Sequence, residues 1–117
     1  MVDGDAGARI RAAVRSIGVH ARAANLDRSA RLTAAFDAGA SGALSEPERE
    51  EAADVAHQLV GSAGTFGFPT VSELAAELET FFADGGFGDP VRVETARGQL
   101  HRLQEELAAG PSYTDGT

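Results

Sequence analysis

The 117-residue sequence contains no cysteine, which excludes disulfides, thiolate metal sites and thiol catalysis. It also lacks any apolar run near the ~20 residues that a helix needs to cross a bilayer. Residues 1–8 contain acids and no apolar segment, so they do not resemble a signal peptide. These absences lead us to expect a cytoplasmic protein that does not enter the membrane.

Basic residues are scarce and of one kind, because the chain has no lysine and its ten arginines face 18 acidic residues. The formal net charge of −8 disfavours nucleic-acid binding, which depends on neutralising phosphates with basic side chains. The three histidines (His20, His57 and His101) are scattered along the chain and do not predict a metal site.

Alanine is abundant, and no segment shows the two-residue alternation of a half-buried strand. Apolar residues recur instead at three- and four-residue steps, which predicts helices over residues 6–24 and 26–38 and then a loop over 39–43. Because no proline separates the first two patterns, one bent helix is the alternative to two. Their apolar positions are Ile10, Val14, Ile17, Ala21 and Ala24, then Leu26, Ala30, Leu32, Ala35 and Phe36.

Three further helices have recognisable starts and stops. Ser45 with Glu48 predicts a capping box, and Gly67 predicts the end of that helix near Phe66. Thr70 with Glu73 predicts the next N-terminus by the same logic. The remaining predicted boundaries are Pro69, Gly85-Gly86, Asp89-Pro90 and Gly110-Pro111.

Four or five amphipathic helices with short connections predict an all-α fold, an antiparallel four-helix bundle with an additional or extended N-terminal helix. We expect one domain over residues 1–117, with frayed tails at 1–5 and 111–117. Each helix should contribute one apolar stripe to the core. The last three stripes are Ala52, Val55, Ala56, Leu59, Ala63 and Phe66, then Val71, Leu74, Ala75, Leu78 and Phe82, then Val93, Ala96, Leu100, Leu103 and Leu107.

His57 lies on the opposite side of its helix from that stripe, together with Val60, Gly61 and Gly64. Glycine costs a helix roughly 0.8–1 kcal/mol relative to alanine, so two glycines beside one histidine indicate that a bulky group approaches the imidazole. An exposed imidazole suits phosphoryl transfer, because it is nucleophilic near neutral pH. The alternatives are an incidental surface histidine and, for Gly61, close packing of helices.

The segment HQLVGSAGTFG (residues 57–67), followed by LAAELE (residues 74–79), resembles the signature of histidine-containing phosphotransfer (HPt) domains. The resemblance implies that His57 is exposed on a four-helix bundle and carries a phosphoryl group without independent enzymatic turnover. The implied partners are a histidine kinase and a response-regulator receiver domain. Gly61 corresponds to the small residue that lets the receiver dock, with Val60 and Gly64 beside it. Mg²⁺ is expected in the receiver, and no cofactor is expected in this chain.

One position departs from that family. HPt domains usually have a lysine three residues after the histidine, and here Val60 occupies that position. Neutral hydrogen bonds from Gln58, Ser62 or Thr65, or a lysine of the receiver, could replace its charge. The alternative is a degenerate bundle that binds a receiver or kinase as an adaptor and carries no phosphate. A hydrolytic enzyme is disfavoured, because no base and nucleophile are predicted to meet in a pocket.

Overall fold

The computed structural model describes the backbone of residues 2–111 and the side chains of residues 6–111. Within this range the chain forms four α-helices, one short 3₁₀ turn and no strand. The elements are α1 (Val2–Ala40), α2 (Glu46–Thr65), α3 (Pro69–Ala83), the 3₁₀ turn (Gly86–Gly88) and α4 (Pro90–Ala109). α1 packs on α2 and α4, and α3 also packs on α2 and α4. Short connections make successive helices antiparallel, which confirms the all-α four-helix bundle.

The N-terminal helix α1 is continuous, so the structure adopts the extended helix and not an additional one. Gly39 and Ala40 are still helical, and the loop begins later than predicted, with Gly42 as its left-handed residue (φ 78°). The predicted tail at 1–5 overlaps the start of α1, except for residue 1, which lies outside the described residues. The predicted C-terminal tail at 111–117 also lies outside the described residues, except for Pro111. Among the described helices, none is long and apolar enough to span a membrane.

The buried face of α1 differs in part from the predicted one. Leu26 and Ala30 are exposed, so their assignment to the core was wrong. The buried positions are Asn25, Ser29, Leu32 and Phe36. Two polar residues therefore take part in this face, which a search for apolar periodicity alone does not detect.

The first turns of α1 also do not enter the core. Ile10, Val14 and Ile17 are exposed by 64%, 62% and 55%, which corrects the expectation that their stripe is buried. The reason is length: α1 has 39 residues, whereas the other three helices have 15 to 20. Its N-terminal part therefore has no helix beside it within the described residues.

The core stripes of α2, α3 and α4 are confirmed with two exceptions. Phe66 and Val93 are half-buried, and every other predicted position in these three stripes is buried. The core also includes Phe68 and Phe81. Because α2 turns its alanines and Leu59 inward, the opposite side of this helix is left for His57.

The start of α2 has the predicted capping box. The Ser45 hydroxyl accepts a hydrogen bond from the Glu48 backbone N–H (3.3 Å), and the Ser45 N–H donates to Glu48 Oε1 (2.9 Å). Hydrogen bonding to the carboxyl of Glu48 from the Ser45 backbone N–H, and to a smaller extent from the Ser45 side chain, holds its pKa below the ordinary value. α2 ends at Thr65, and Gly67 (φ 89°) is the left-handed residue after it, as predicted.

The start of α3 differs from the prediction. The N-cap is Phe68, which makes no side-chain capping bond, and the helix begins at Pro69. Thr70 and Glu73 therefore do not form the predicted capping box. Pro69 starts the helix because its fixed φ suits the first turn, where its missing N–H costs nothing. Burial of Phe68 anchors this position in place of a polar cap.

Four phenylalanines form a cluster where α1, α3 and the 3₁₀ turn meet. The ring centroids of Phe81 and Phe87 lie 4.7 Å apart, and Phe36 and Phe82 lie against the same rings. A Cβ atom added at Gly39 would overlap the Phe87 ring. Glycine at this position therefore lets the aromatic cluster pack directly on the backbone of α1.

We expect Gly39→Ala to lower the free energy of unfolding by about 1–3 kcal/mol, because the ring must move away from its packed position. Gly98→Ala is the control, since a Cβ atom there meets nothing within 4 Å. It should instead raise stability by roughly 0.8–1 kcal/mol through helix propensity. Urea unfolding of the two variants measures both effects, and equal stabilisation would contradict the packing.

Candidate functional site

His57 lies in the middle of α2, on the side away from the core. Its side chain is 74% exposed, whereas the adjacent Ala56 is fully buried. Because α2 is rigidly packed on α3, the imidazole is presented to solvent from a fixed backbone. The structure thus places the predicted histidine where a second protein can reach it.

Glu79 of α3 holds one edge of this imidazole. The Nδ1 atom of His57 lies 3.1 Å from Glu79 Oε2 and 3.2 Å from Oε1. An ionised carboxylate can only accept hydrogen bonds, so Nδ1 carries the proton and donates it. In the neutral ring, Nε2 then keeps its lone pair. Glu79 therefore fixes both the orientation of the ring and the nitrogen that is nucleophilic.

The sequence analysis did not identify Glu79 as a site residue. A usable signal exists, because α2 and α3 form an antiparallel hairpin around residues 67 and 68. His57 precedes Gly67 by ten residues and Glu79 follows Phe68 by eleven, so the two lie level with each other. Glu79 also follows the buried Leu78, which places it at the edge of the α3 stripe.

Gly61 and Gly64 differ in their surroundings. A Cβ atom at Gly61 would meet nothing within 4 Å, so this part of the surface next to His57 is open. At Gly64 a Cβ atom would lie 3.3 Å from Ser72 Oγ, so this exposed glycine also lies close to α3. Ser72 Oγ donates to the Val60 carbonyl (2.7 Å), which ties α3 to α2 at this level.

The other predicted site residues surround the histidine unequally. Gln58 is exposed beside it, whereas Ser62 is half-buried. Ser62 is five residues from His57, which is about 140° around the helix, so it does not share the face of His57. Val60 is half-buried and packs against the core, with part of its side chain on the surface.

The site has little positive charge of its own. Arg49 is the single arginine of α2, and α3 has none. The guanidinium of Arg49 donates hydrogen bonds to the backbone carbonyls of Phe82 and Ala83 and to the carboxylate of Glu46. The Glu46 carboxylate raises the pKa of Arg49. Arg49 is thus engaged at the C-terminal end of α3, more than two turns from His57. Among the described residues, no group of three or more metal-ligating side chains occurs.

The sequence model of the Hpt domain matches residues 22–110 of the chain. The chain belongs to the Hpt domain family. No curated protein and no solved structure matches it significantly. Membership makes the chain a phosphotransfer module of two-component signalling. The members of this family are phosphocarriers that interact with kinases and receiver domains. The match begins at Arg22, so the N-terminal turns of α1 precede the family's common region.

Proposed function

We propose that His57 is the phosphoacceptor of this Hpt domain and that Nε2 is its reacting atom. The observation that carries the proposal is the pair of contacts between Nδ1 and Glu79, which leave Nε2 exposed and unprotonated in the neutral ring. The chain would take a phosphoryl group from a histidine kinase or a phosphorylated receiver. It would then pass the group to a receiver aspartate of a response regulator.

The transfer follows from this geometry. The Nε2 lone pair attacks the phosphorus of the aspartyl phosphate, the N–P bond forms and the P–O bond to the aspartate breaks. The aspartate leaves as a carboxylate. Nδ1 keeps its proton throughout and continues to donate it to the Glu79 carboxylate. Positive charge develops on the imidazole as the bond forms, and the Glu79 carboxylate stabilises it. The return step to a receiver reverses these changes.

Docking would use the open surface around the histidine. Gly61 leaves room for the receiver, while Val60 and the backbone at Gly64 offer an apolar contact beside it. Gln58, exposed beside His57, is the candidate donor of a hydrogen bond to the phosphoryl oxygens, whereas Ser62 lies too far around the helix for this role. Because Arg49 is engaged elsewhere, the receiver would supply the positive charge through its Mg²⁺ and lysine, and this chain would need no cofactor. We place the exchange in the cytoplasm.

A transfer assay tests the proposal. Purified receiver domains of the source organism are phosphorylated with labelled acetyl phosphate, freed of the reagent and mixed with the chain. We expect at least one receiver to pass label to the chain as an acid-labile, base-stable phosphate. Failure of every receiver, together with failure of every histidine kinase of the organism, would reject the phosphocarrier.

The alternative function is an adaptor that binds a receiver or kinase without carrying phosphate. Val60 favours it, because the usual lysine beside the histidine is absent. An adaptor should bind a receiver with equal affinity before and after His57→Ala and should never acquire label. Calorimetric titration of the receiver, run beside the transfer assay, separates the two functions.

Glu79 should act as a positioning residue. We expect Glu79→Ala to slow transfer about ten- to a hundredfold, the loss that follows when the partner orienting a metal-binding imidazole is removed. Glu79→Gln should lose less, because its amide oxygen still accepts from Nδ1. Glu77→Ala on the exposed side of α3 is the control and should leave the rate unchanged.

Two readouts separate positioning from a general structural role. The ¹⁵N chemical shifts of His57 should show an Nδ1–H tautomer in the wild type and a shift towards Nε2–H in Glu79→Ala. The dissociation constant for the receiver should stay within about twofold, since Glu79 acts on the ring and not on docking. An unchanged tautomer with an unchanged rate would show that the contact is incidental.

A further inference from the structure

The N-terminal turns of α1 expose a row of large apolar side chains. Ile10, Val14 and Ile17 follow one another at four- and three-residue steps, and each is more than half exposed. Such a row on one helix is typical of a seam against another helix. We call residues 6–19 the arm. It lies before the region that matches the family and before Arg22, which donates to the α4 carbonyls of Leu107 and Ala108.

The same seam continues along the rest of α1 with smaller residues. At the seven-residue repeat set by Ile10 and Ile17, the later positions are Ala24, Arg31 and Ala38. Arg31 is paired with Asp27 at 3.0 Å, so its charge is compensated. This face of α1 therefore presents large apolar side chains in its first half, and two alanines with the paired Arg31 between them in its second half. Large and small residues interdigitate best when they face each other.

The second half of this seam borders an open groove between α1 and α2. The groove is a cavity of about 430 Å³. Its apolar floor consists of Ala34, Ala35, Ala38, Leu44, Ala52 and Val55. Glu48 and Glu51 lie beside it, together with Arg31, whose charge is paired with Asp27. A helix with branched apolar side chains and basic residues would fill this shape and complement its charge.

The charges determine which helix fits. Residues 6–26 contain four arginines and no acidic residue. Two arms side by side in parallel would therefore bring like charges together, which disfavours that pairing. An antiparallel pairing of two α1 helices instead brings each arm to the acidic groove of the other copy. The arm and the groove thus fit each other on two copies of the same chain.

We propose that this chain forms an antiparallel homodimer in which the arm of each copy occupies the α1–α2 groove of the other. Ile17 of one copy faces Ala35 of the other, and Val14 faces Ala38. The two-fold axis passes at the level of residue 26, whose own side chain lies on the opposite side of α1 from the seam, and Arg11 lies next to Glu51 across the interface. The interface is isologous, so each contact occurs twice.

The dimer leaves the phosphotransfer site free. Glu48 and His57 are nine residues apart on α2, which is about two and a half turns, so they lie on opposite sides of the helix. The groove is therefore covered while both imidazoles remain open to a receiver. The dimer does not depend on the proposed role of His57 and would stand if that role were rejected.

Cross-linking tests the orientation, because the chain has no cysteine of its own. Ile17→Cys and Ala35→Cys variants are prepared separately, mixed in equal amounts and oxidised. We expect a disulfide between the two different variants and little between two copies of Ile17→Cys. A dominant disulfide between copies of Ile17→Cys, or no cross-linking in any mixture, would overturn the antiparallel dimer.

A charge exchange tests the partner surface by sedimentation equilibrium of the full chain. We expect a wild-type dimer with a dissociation constant in the micromolar range, weakened about tenfold by Arg11→Glu or Glu51→Arg and largely restored in the double variant. Arg102→Glu on α4 is the matched control and should change nothing. A monomer up to ~1 mM overturns the proposal. So does a monomer that binds vesicles of phosphatidylserine through the arm.

Discussion

His57→Gln is expected to abolish phosphoryl acceptance, with a decrease of at least about a thousandfold, because an amide nitrogen has no lone pair available for attack on phosphorus. Glutamine is close in size and polarity to histidine, and position 57 is 74% exposed, so the bundle should keep its stability. Receiver binding should also persist, since the docking surface around Gly61 is unchanged. The measurement is the transfer of label from a phosphorylated receiver to the chain.

The chain offers a closely matched control for this substitution. His101 on α4 is also 74% exposed and also lies beside a carboxylate, Glu105. The contact there is made by Nε2, at 3.6 Å, so the nitrogen that is free at His57 is the one engaged at His101. His101→Gln should therefore accept phosphate at the wild-type rate. Equal labelling of both variants would show that the phosphate resides elsewhere.

Gly61→Leu is expected to slow transfer from the receiver at least about tenfold, since a loss of 1.4 kcal/mol in binding already has this effect. The side chain would project into the open surface beside His57, where a receiver has to approach. The effect should appear as weaker receiver binding, with little change in the rate of transfer within the bound complex. Titration calorimetry and single-turnover transfer at saturating receiver separate these quantities.

Gly61→Leu should stabilise the bundle even though it slows transfer. Replacing a helical glycine that has free space by leucine should raise the free energy of unfolding by several tenths to about 1 kcal/mol. Gly98→Leu on α4 is the control, because a Cβ atom there is equally unobstructed. It should be stabilised similarly and retain full transfer. Loss of transfer in both variants would mean that leucine harms the fold and not the docking.

Much of the bundle could be predicted because its signals are local. The Ser45 and Glu48 capping box, the stop at Gly67 and the stripes of α2 to α4 each depend on residues within a few turns of one another. Thr70 and Glu73 show the limit of the same logic. Their spacing matched a capping box, yet burial of Phe68 and the fixed φ of Pro69 placed the start of α3 two residues earlier.

The errors on α1 had a different origin. An apolar stripe predicts a helix but does not say whether another helix is long enough to cover it, so Ile10 and Ile17 were assigned to the core and are exposed. Buried polar residues cause the opposite error, because they are not assigned to the core although they belong to it. Asn25 is buried on the α1 face that meets the bundle, where its Oδ1 accepts a hydrogen bond from Arg28, and periodicity of apolar residues does not reveal it.

The functional site was predicted in its histidine and glycines but not in its carboxylate. His57 and Gly61 lie one turn apart, so their shared face follows from the helix repeat alone. Glu79 is 22 residues away, and its contact with Nδ1 depends on the register between α2 and α3. That register is a tertiary property, fixed by the hairpin and by Ser72 bonding to Val60.

The position of the phosphate on the imidazole tests the central claim most directly. The ¹⁵N-labelled chain is phosphorylated by its receiver and examined by long-range ¹H–¹⁵N correlation, which distinguishes the two ring nitrogens. We expect the phosphate on Nε2 of His57, with Nδ1 still protonated against Glu79. Phosphate on Nδ1, phosphate on another residue, or no phosphate with any receiver or kinase would contradict the claim.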